Sequence, residues 1–165
     1  MQSRKMASSG LRVLAMAYGA GLDKLILAGI VGMDDPPRKG VVDAVESLQS
    51  GGVYVVMVTG DSKETAIAIG KRCGIIHSSH NTATSNSMID SDVEFGAGVA
   101  LSGEQLDAIP DAMLAESIIG IKIFYRVAPR HKMALVRAYQ SQGEIVAMTG
   151  DGVNDAIALK VSLYW

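Results

Sequence analysis

Residues 53–74 read VYVVMVTGDSKETAIAIGKRCG. The first six are apolar or aromatic and rich in β-branched side chains, which predicts a strand over 53–58. Thr59-Gly60-Asp61 makes a turn, and Ser62 is a good N-cap for a helix over 63–72, with Thr65 standing where a capping box has Glu and Gly74 ending the helix. Strand, turn and helix in that order are half of a βαβ unit, and the rest of the chain repeats the pattern. Upstream, 11–18 and 25–33 are strand candidates. A helix over 39–49 carries Val41, Val42, Ala44, Val45 and Leu48 at helical spacing and stops at Gly51-Gly52. Downstream, a strand over 121–125 leads into a helix opened by Pro129 and running to about Gln140, with Gly143 at its end. A strand over 145–148 and a short helix after Gly152 follow. Strands separated by helices of about 10–15 residues imply a parallel sheet with right-handed crossovers. The expected fold is a doubly wound, Rossmann-like α/β domain with a mostly parallel sheet.

Composition agrees with one globular domain: 165 residues, 48% apolar and 19% charged, bury roughly two thirds of the unfolded surface. A net charge of −2 with dispersed Lys and Arg argues against nucleic acid as a partner. The longest apolar run, LILAGIVGM at 25–33, is far short of the roughly 20 residues of a spanning helix. MQSRKMASSG has a basic start but no apolar core of signal-peptide type. Cys73 is the single cysteine and reads as a buried free thiol. Between 77 and 98 the chain is rich in Ser, Thr, Asn and Asp and reads as a mobile surface insertion. Its His77 and His80 read as solvated loop residues, since no thiol or carboxylate pattern accompanies them.

Three strand ends carry polar chemistry: Thr59-Gly60-Asp61 after VYVVMV, Arg126 with Pro129 and Lys132 after IKIFY, and Thr149-Gly-Asp-Gly-Val-Asn-Asp155 after IVAM. In a parallel sheet these turns share the carboxyl edge, where α/β proteins bind ligands. A hydroxyl, a glycine amide, an ammonium and paired carboxylates suit a phosphate and its Mg2+. Thr59 Oγ and the Gly60 N–H would donate to phosphate oxygens, Lys132 would offset their charge, and Asp151 would hold a hard cation. Each piece alone has an ordinary alternative: TGD as a helix-capped turn, and Lys132 as a solvated helix residue. The TGDGVND turn is more specific than either.

The motifs DPPR (35–38), VTGD (58–61), FYRVAPRHK (124–132) and MTGDGVNDAIALK (148–160), in this order and spacing, resemble the phosphorylation domain of P-type cation-transporting ATPases, within the haloacid dehalogenase superfamily. GLRVLAMAYG, LILAGIVGMDDPPR and SGEQLDAI look most like the secretory-pathway (Golgi) Ca2+/Mn2+ pumps. The resemblance implies that Asp151 is the Mg2+ ligand and that Asp155 supports the metal and the catalytic turn. It implies that Thr59, Gly60 and Asn154 contact the phosphoryl group and that Lys132 stabilises it. Arg12 matches an arginine that touches the nucleotide phosphates, Asp61 and Arg126 match positions lining the nucleotide, and Arg38 matches a hinge arginine. Mg2+ and ATP are the implied cofactor and ligand. Residues 1–24 would end the nucleotide-binding domain and form the hinge, and 25–165 would be a partial phosphorylation domain, incomplete at both ends.

The sequence departs from that family in one decisive place: neither the nucleophile motif DKTGT nor DxDxT occurs. Asp34-Asp35 is no substitute, because Pro36 and Pro37 have no N–H to cradle a phosphate. The expectation is therefore a fragment, inactive alone, of an ATP-driven Ca2+ (or Mn2+) pump of the Golgi or secretory-pathway membrane. Its cation site would lie in absent transmembrane helices, this domain would face the cytosol, and the fragment by itself would be cytosolic. The ending VSLYW, unlike the family's, leaves an alternative: a truncated, non-catalytic binding or regulatory module. A free-standing phosphatase of the superfamily would need the missing DxD pair.

Overall fold

In the computed structural model, residues 2–76, 99–150 and 160 are described. They divide into two compact units, Met1–Val55 with Ser62–Ser79, and Val56–Asp61 with His80–Trp165.

The first unit holds α1 (Gln2–Ser8), β1 (Arg12–Tyr18), β2 (Ile26–Met33), α2 (Val41–Ser50) and, later in the chain, α3 (Lys63–Arg72). β1 and β2 pair antiparallel, Arg12 opposite Met33 and Tyr18 opposite Ile26, with a bulge between Met16 and Ala17. This pair is the antiparallel exception to the mostly parallel strand arrangement expected. The seven residues between the two strands close a hairpin, whereas a parallel crossover needs a dozen or more. The ribbon's apolar side chains stay largely open, Leu14 at 55% and Leu27 at 65% exposure. Helix α2 forms as expected, yet of its apolar series only Val45 is buried. Helix α3 starts at the predicted cap, where Ser62 Oγ accepts from the Thr65 N–H at 3.4 Å. Cys73, just beyond α3, is a buried free thiol, in line with the sequence reading.

The second unit holds β3 (Met57–Val58), β4 (Ala100–Ser102), α4 (Gly103–Asp107), α5 (Asp111–Ser117), β5 (Ile123–Tyr125) and α6 (Pro129–Ser141). Its three strands form a parallel sheet in the order β3-β5-β4, the α/β arrangement expected. The register sets Val58 beside Phe124 and Leu101 beside Phe124 on the other side. Phe124, Ile123 and Ile118 are fully buried, each burial worth about 1.5–3 kcal/mol. Around Phe124 pack Leu106, Leu114, Ile121, Val127, Leu135 and Ala138, which fastens α4, α5 and α6 to the sheet.

Three predicted strands are shorter than expected, the one over 121–125 beginning only at Ile123. The strand over 53–58 narrows to Met57–Val58 because Val53 completes the end of α2: Gly52 sits at φ 83° and the Val53 N–H donates to Leu48 O at 3.0 Å. The strand over 145–148 is an isolated bridge at Ala147. β5 already has a neighbour on each side, so these residues can join the sheet only at an edge. Conversely, β4, α4 and α5 were not foreseen. The insertion over 77–98 with His77 and His80, and the helix after Gly152, lie outside the described residues.

Candidate functional site

All three parallel strands deliver their carboxyl ends to one edge of the second unit, so Thr59, Ser102-Gly103 and Arg126 are set there by topology alone. Thr59 extends the pairing beyond β3, its N–H donating to Phe124 O at 2.8 Å. Then the turn bonds back: the Val127 N–H donates to Thr59 O at 3.1 Å and the Arg126 N–H to Asp61 O at 3.0 Å. The Thr59 hydroxyl donates to Asp61 Oδ2 at 2.9 Å, and its oxygen accepts from the Asp61 N–H at 3.1 Å. Thr59 and Asp61 are half-buried while Gly60 is exposed at the tip, with nothing within 4 Å of where a Cβ would stand. Open space beside that backbone leaves room for a ligand atom to approach it.

Arg126 has φ 50°, the one non-glycine positive φ among the described residues. Such a conformation is sparsely populated and persists only where neighbours over-determine it. Lys132 lies in the first turn of α6, half-buried, with its N–H donating to Ala128 O at 3.4 Å. Helix α6 has Ala128 at its N-cap, a residue without a capping side chain, and Pro129 at its first position. The missing cap is supplied in reverse: His131 Nδ1 accepts from the Ala128 N–H at 2.9 Å. His131 Nε2 then faces Asp107 Oδ1 at 2.9 Å, and Arg130 Nη2 donates to Asp107 Oδ2 at 2.7 Å. These bonds, that of Arg130 first and that of His131 second, hold the Asp107 carboxyl below its ordinary range.

The structure therefore brings Thr59, Gly60, Asp61 and Arg126 together and sets Lys132 one helical turn beyond. Arg12 and Arg38 belong to the other unit, where both are exposed; Arg12 opens β1, and the Arg38 carbonyl accepts from the Val41 N–H at 3.2 Å. Asp151, Asn154 and Asp155 lie outside the described residues, and Thr149 and Gly150 before them are exposed. Sequence reasoning missed the His131–Asp107 pair and Gly103. One signal was available: Ser102 and Gln105 form a capping box, with Gln105 Oε1 accepting from the Ser102 N–H at 2.8 Å and the Gln105 N–H donating to Ser102 Oγ at 3.0 Å.

Among the described residues no group of three His, Cys, Asp or Glu side chains is placed to hold a metal ion. What the described edge offers is oxygen, from the Thr59 hydroxyl and the Asp61 carboxylate; Asp151 and Asp155, the metal ligands that the resemblance implies, lie outside the described residues. An all-oxygen donor set fits a hard ion such as Mg2+ and not a soft one.

The profile of the haloacid dehalogenase-like hydrolases matches residues 12–162. The chain belongs to the haloacid dehalogenase-like hydrolase family. Within this family it is similar to the calcium-transporting ATPase type 2C member 1 of Pongo abelii, 45% identical over 161 residues, which are 98% of this chain and 16% of that protein. It is 43% identical over 159 residues to the human type 2C member 2, covering 96% of this chain and 15% of the relative. To calcium-transporting ATPase 1 of Schizosaccharomyces pombe it is 44% identical over 158 residues, again 96% of this chain and 16% of that protein. The chain thus spans about a sixth of the length of these relatives. In a haloacid dehalogenase-like hydrolase, the resemblance first seen in DPPR, VTGD, FYRVAPRHK and MTGDGVND extends over nearly the whole chain.

Proposed function

We propose that this chain is the phosphate- and Mg2+-binding part of the phosphorylation domain of an ATP-driven Ca2+ (or Mn2+) transporting ATPase. The observation that carries it is the double backbone lock between the turns after β3 and β5, which holds Thr59, Gly60 and Asp61 at the sheet's carboxyl edge beside Arg126. Thr59 Oγ and the Gly60 N–H donate to the phosphoryl oxygens once the hydroxyl turns away from Asp61. Lys132 adds a positive charge, and Asn154 completes the contacts. Asp151 and Asp155 hold Mg2+, which when bound neutralises phosphate charge. By the resemblance, Arg12, Asp61 and Arg126 are each assigned as nucleotide contacts and Arg38 as a hinge arginine, with 1–24 ending the nucleotide-binding domain and forming the hinge and 25–165 a partial phosphorylation domain. The aspartyl nucleophile is outside these 165 residues, because DKTGT does not occur in them. No helix among the described residues is long and apolar enough to cross a membrane, so in this reading the cation path and the Golgi or secretory-pathway membrane anchor belong to other segments of the pump.

The experiment is a graft. Residues 12–160 replace the matching segment of a type 2C calcium-transporting ATPase, and phosphoenzyme formation from ATP is measured in membranes. Mg2+-dependent phosphoenzyme, abolished by Asp151→Asn in a graft that still folds, is expected. A correctly folded graft whose phosphoenzyme level ignores Asp151→Asn would refute the assignment.

A further inference from the structure

Outside the turn that carries Thr59, Asp107, Arg130 and His131 form a connected polar cluster with the Ala128 N–H. His131 is 6% exposed, and because its Nδ1 accepts from the Ala128 N–H, its proton is on Nε2 and is donated to Asp107. Gly103, at the start of the helix that ends in Asp107, packs so closely that a Cβ would collide with the Arg126 carbonyl and stand 2.7 Å from the His131 ring carbon Cε1. Residues 126–128 are therefore held through the imidazole on one side and the α4 backbone on the other. Arg126 and Val127 pass that constraint on, since their N–H groups hold Asp61 O and Thr59 O. The strained φ of Arg126 is the conformation that such a network maintains.

We propose that Asp107 and His131 are positioning residues for the phosphate turn. The carboxylate orients the imidazole, the imidazole holds the N-terminus of α6, and the fixed 126–128 segment keeps Thr59, Gly60 and Lys132 in register for phosphate. This deepens the reading of Thr59, Gly60 and Lys132 as phosphate contacts and rests on it.

The test uses the 165-residue chain, 15N-labelled, with amide hydrogen exchange measured for Asp107→Ala, His131→Ala and His131→Gln. Both alanine variants are expected to speed exchange at Arg126, Val127 and Ala128 by about tenfold relative to α5, as loss of one or two buried hydrogen bonds does. His131→Gln is expected to restore protection at Ala128, because a Gln at the third helical position reaches back to the N-cap N–H. Unchanged exchange at 126–128 overturns the proposal, as does an equal rise in α5, which would report general loosening. Asp107 has half its side chain in solvent, so Asp107→Ala keeps the test readable even where His131→Ala does not fold. A titration with inorganic phosphate and Mg2+, followed at the Thr59 and Gly60 amides, separates the two readings. If the unsubstituted chain shows no phosphate-dependent shift, the phosphate reading fails and exchange alone judges the coupling. If it binds, Asp107→Ala is expected to weaken affinity about fivefold, the size of one net hydrogen bond, and equal affinity overturns the positioning role.

Discussion

Gly103→Ala sets two opposing effects against each other. Gly103 is the first residue of α4 and its φ is not positive, so helix propensity alone favours alanine there by up to about 1 kcal/mol. The new Cβ, however, would stand 2.7 Å from His131 Cε1 and 2.8 Å from Nδ1 and would overlap the Arg126 carbonyl. Ordinary contact begins near 3.4 Å, so the buried ring must retreat by about 0.7 Å. A retreat of that size along the bond would stretch the 2.9 Å link to Ala128 toward about 3.6 Å, beyond hydrogen-bonding distance. Overpacking costs about 1–3 kcal/mol and a lost bond about 0.5–1.5 kcal/mol, so after about 1 kcal/mol of propensity the net cost is about 0.5–3.5 kcal/mol. In a chain of this length that lowers the melting midpoint by about 1–14 °C, read by circular dichroism or calorimetry. An alanine variant as stable as the unsubstituted chain would show that the Gly103 approach places no constraint on His131 or Arg126, and the support network would lose its third side.

Gly60→Ala has the opposite expectation: nothing lies within 4 Å of its Cβ and its φ is not positive, so stability stays level or rises by up to about 1 kcal/mol, while phosphate-dependent amide shifts at residues 59 and 60 are lost. Weakened folding, or undiminished phosphate binding, would contradict it. Burial pushes the Cys73 thiol up, against a smaller opposing pull from Arg72, so alkylation at pH 7 is expected to be slow in the folded chain and to become fast in denaturant; rapid labelling of the native chain would exclude a buried thiol there. The Asp107 carboxyl is held below its ordinary range, so its ion pair with Arg130 and its hydrogen bond from His131 contribute stability above about pH 4 that is lost as pH falls through the lowered value. Acid titration of stability in Asp107→Asn is therefore expected to be flatter below about pH 4 than in the unsubstituted chain, and identical acid limbs would refute the linkage.

How much of this was legible in residues can be read element by element. The cap at Ser62 and the helix opened by Pro129 follow local rules that need only neighbours within a turn, and both formed where expected. The strand over 53–58 lost its first residues because Val53 serves the end of α2, a competition between two local signals that apolar pattern does not rank. β4 has only three residues, too few to show a period, and it exists because β5 offers it an edge. Thr59, Gly60, Asp61, Arg126 and Lys132 were named from strand-end position, and the structure sets the first four together. His131 was hidden in plain sight within FYRVAPRHK, since nothing in the string shows that its partner is Asp107, 24 residues earlier.

By itself the sequence determined the family, through four motifs whose order and spacing follow chain connectivity, and it determined the helices whose caps and stops are local. It also determined that no DKTGT nucleophile lies among these residues. Tertiary structure alone decided which strands pair and in what direction, that β1 and β2 form a separate ribbon, that Arg126 takes a left-handed backbone, and that Asp107, His131 and Gly103 support the turn carrying Thr59. The physical reason is range. Capping and amphipathic periodicity act within a few residues, whereas sheet order, steric exclusion at Gly103 and the bond from His131 to Asp107 depend on segments that only the folded chain brings within contact distance.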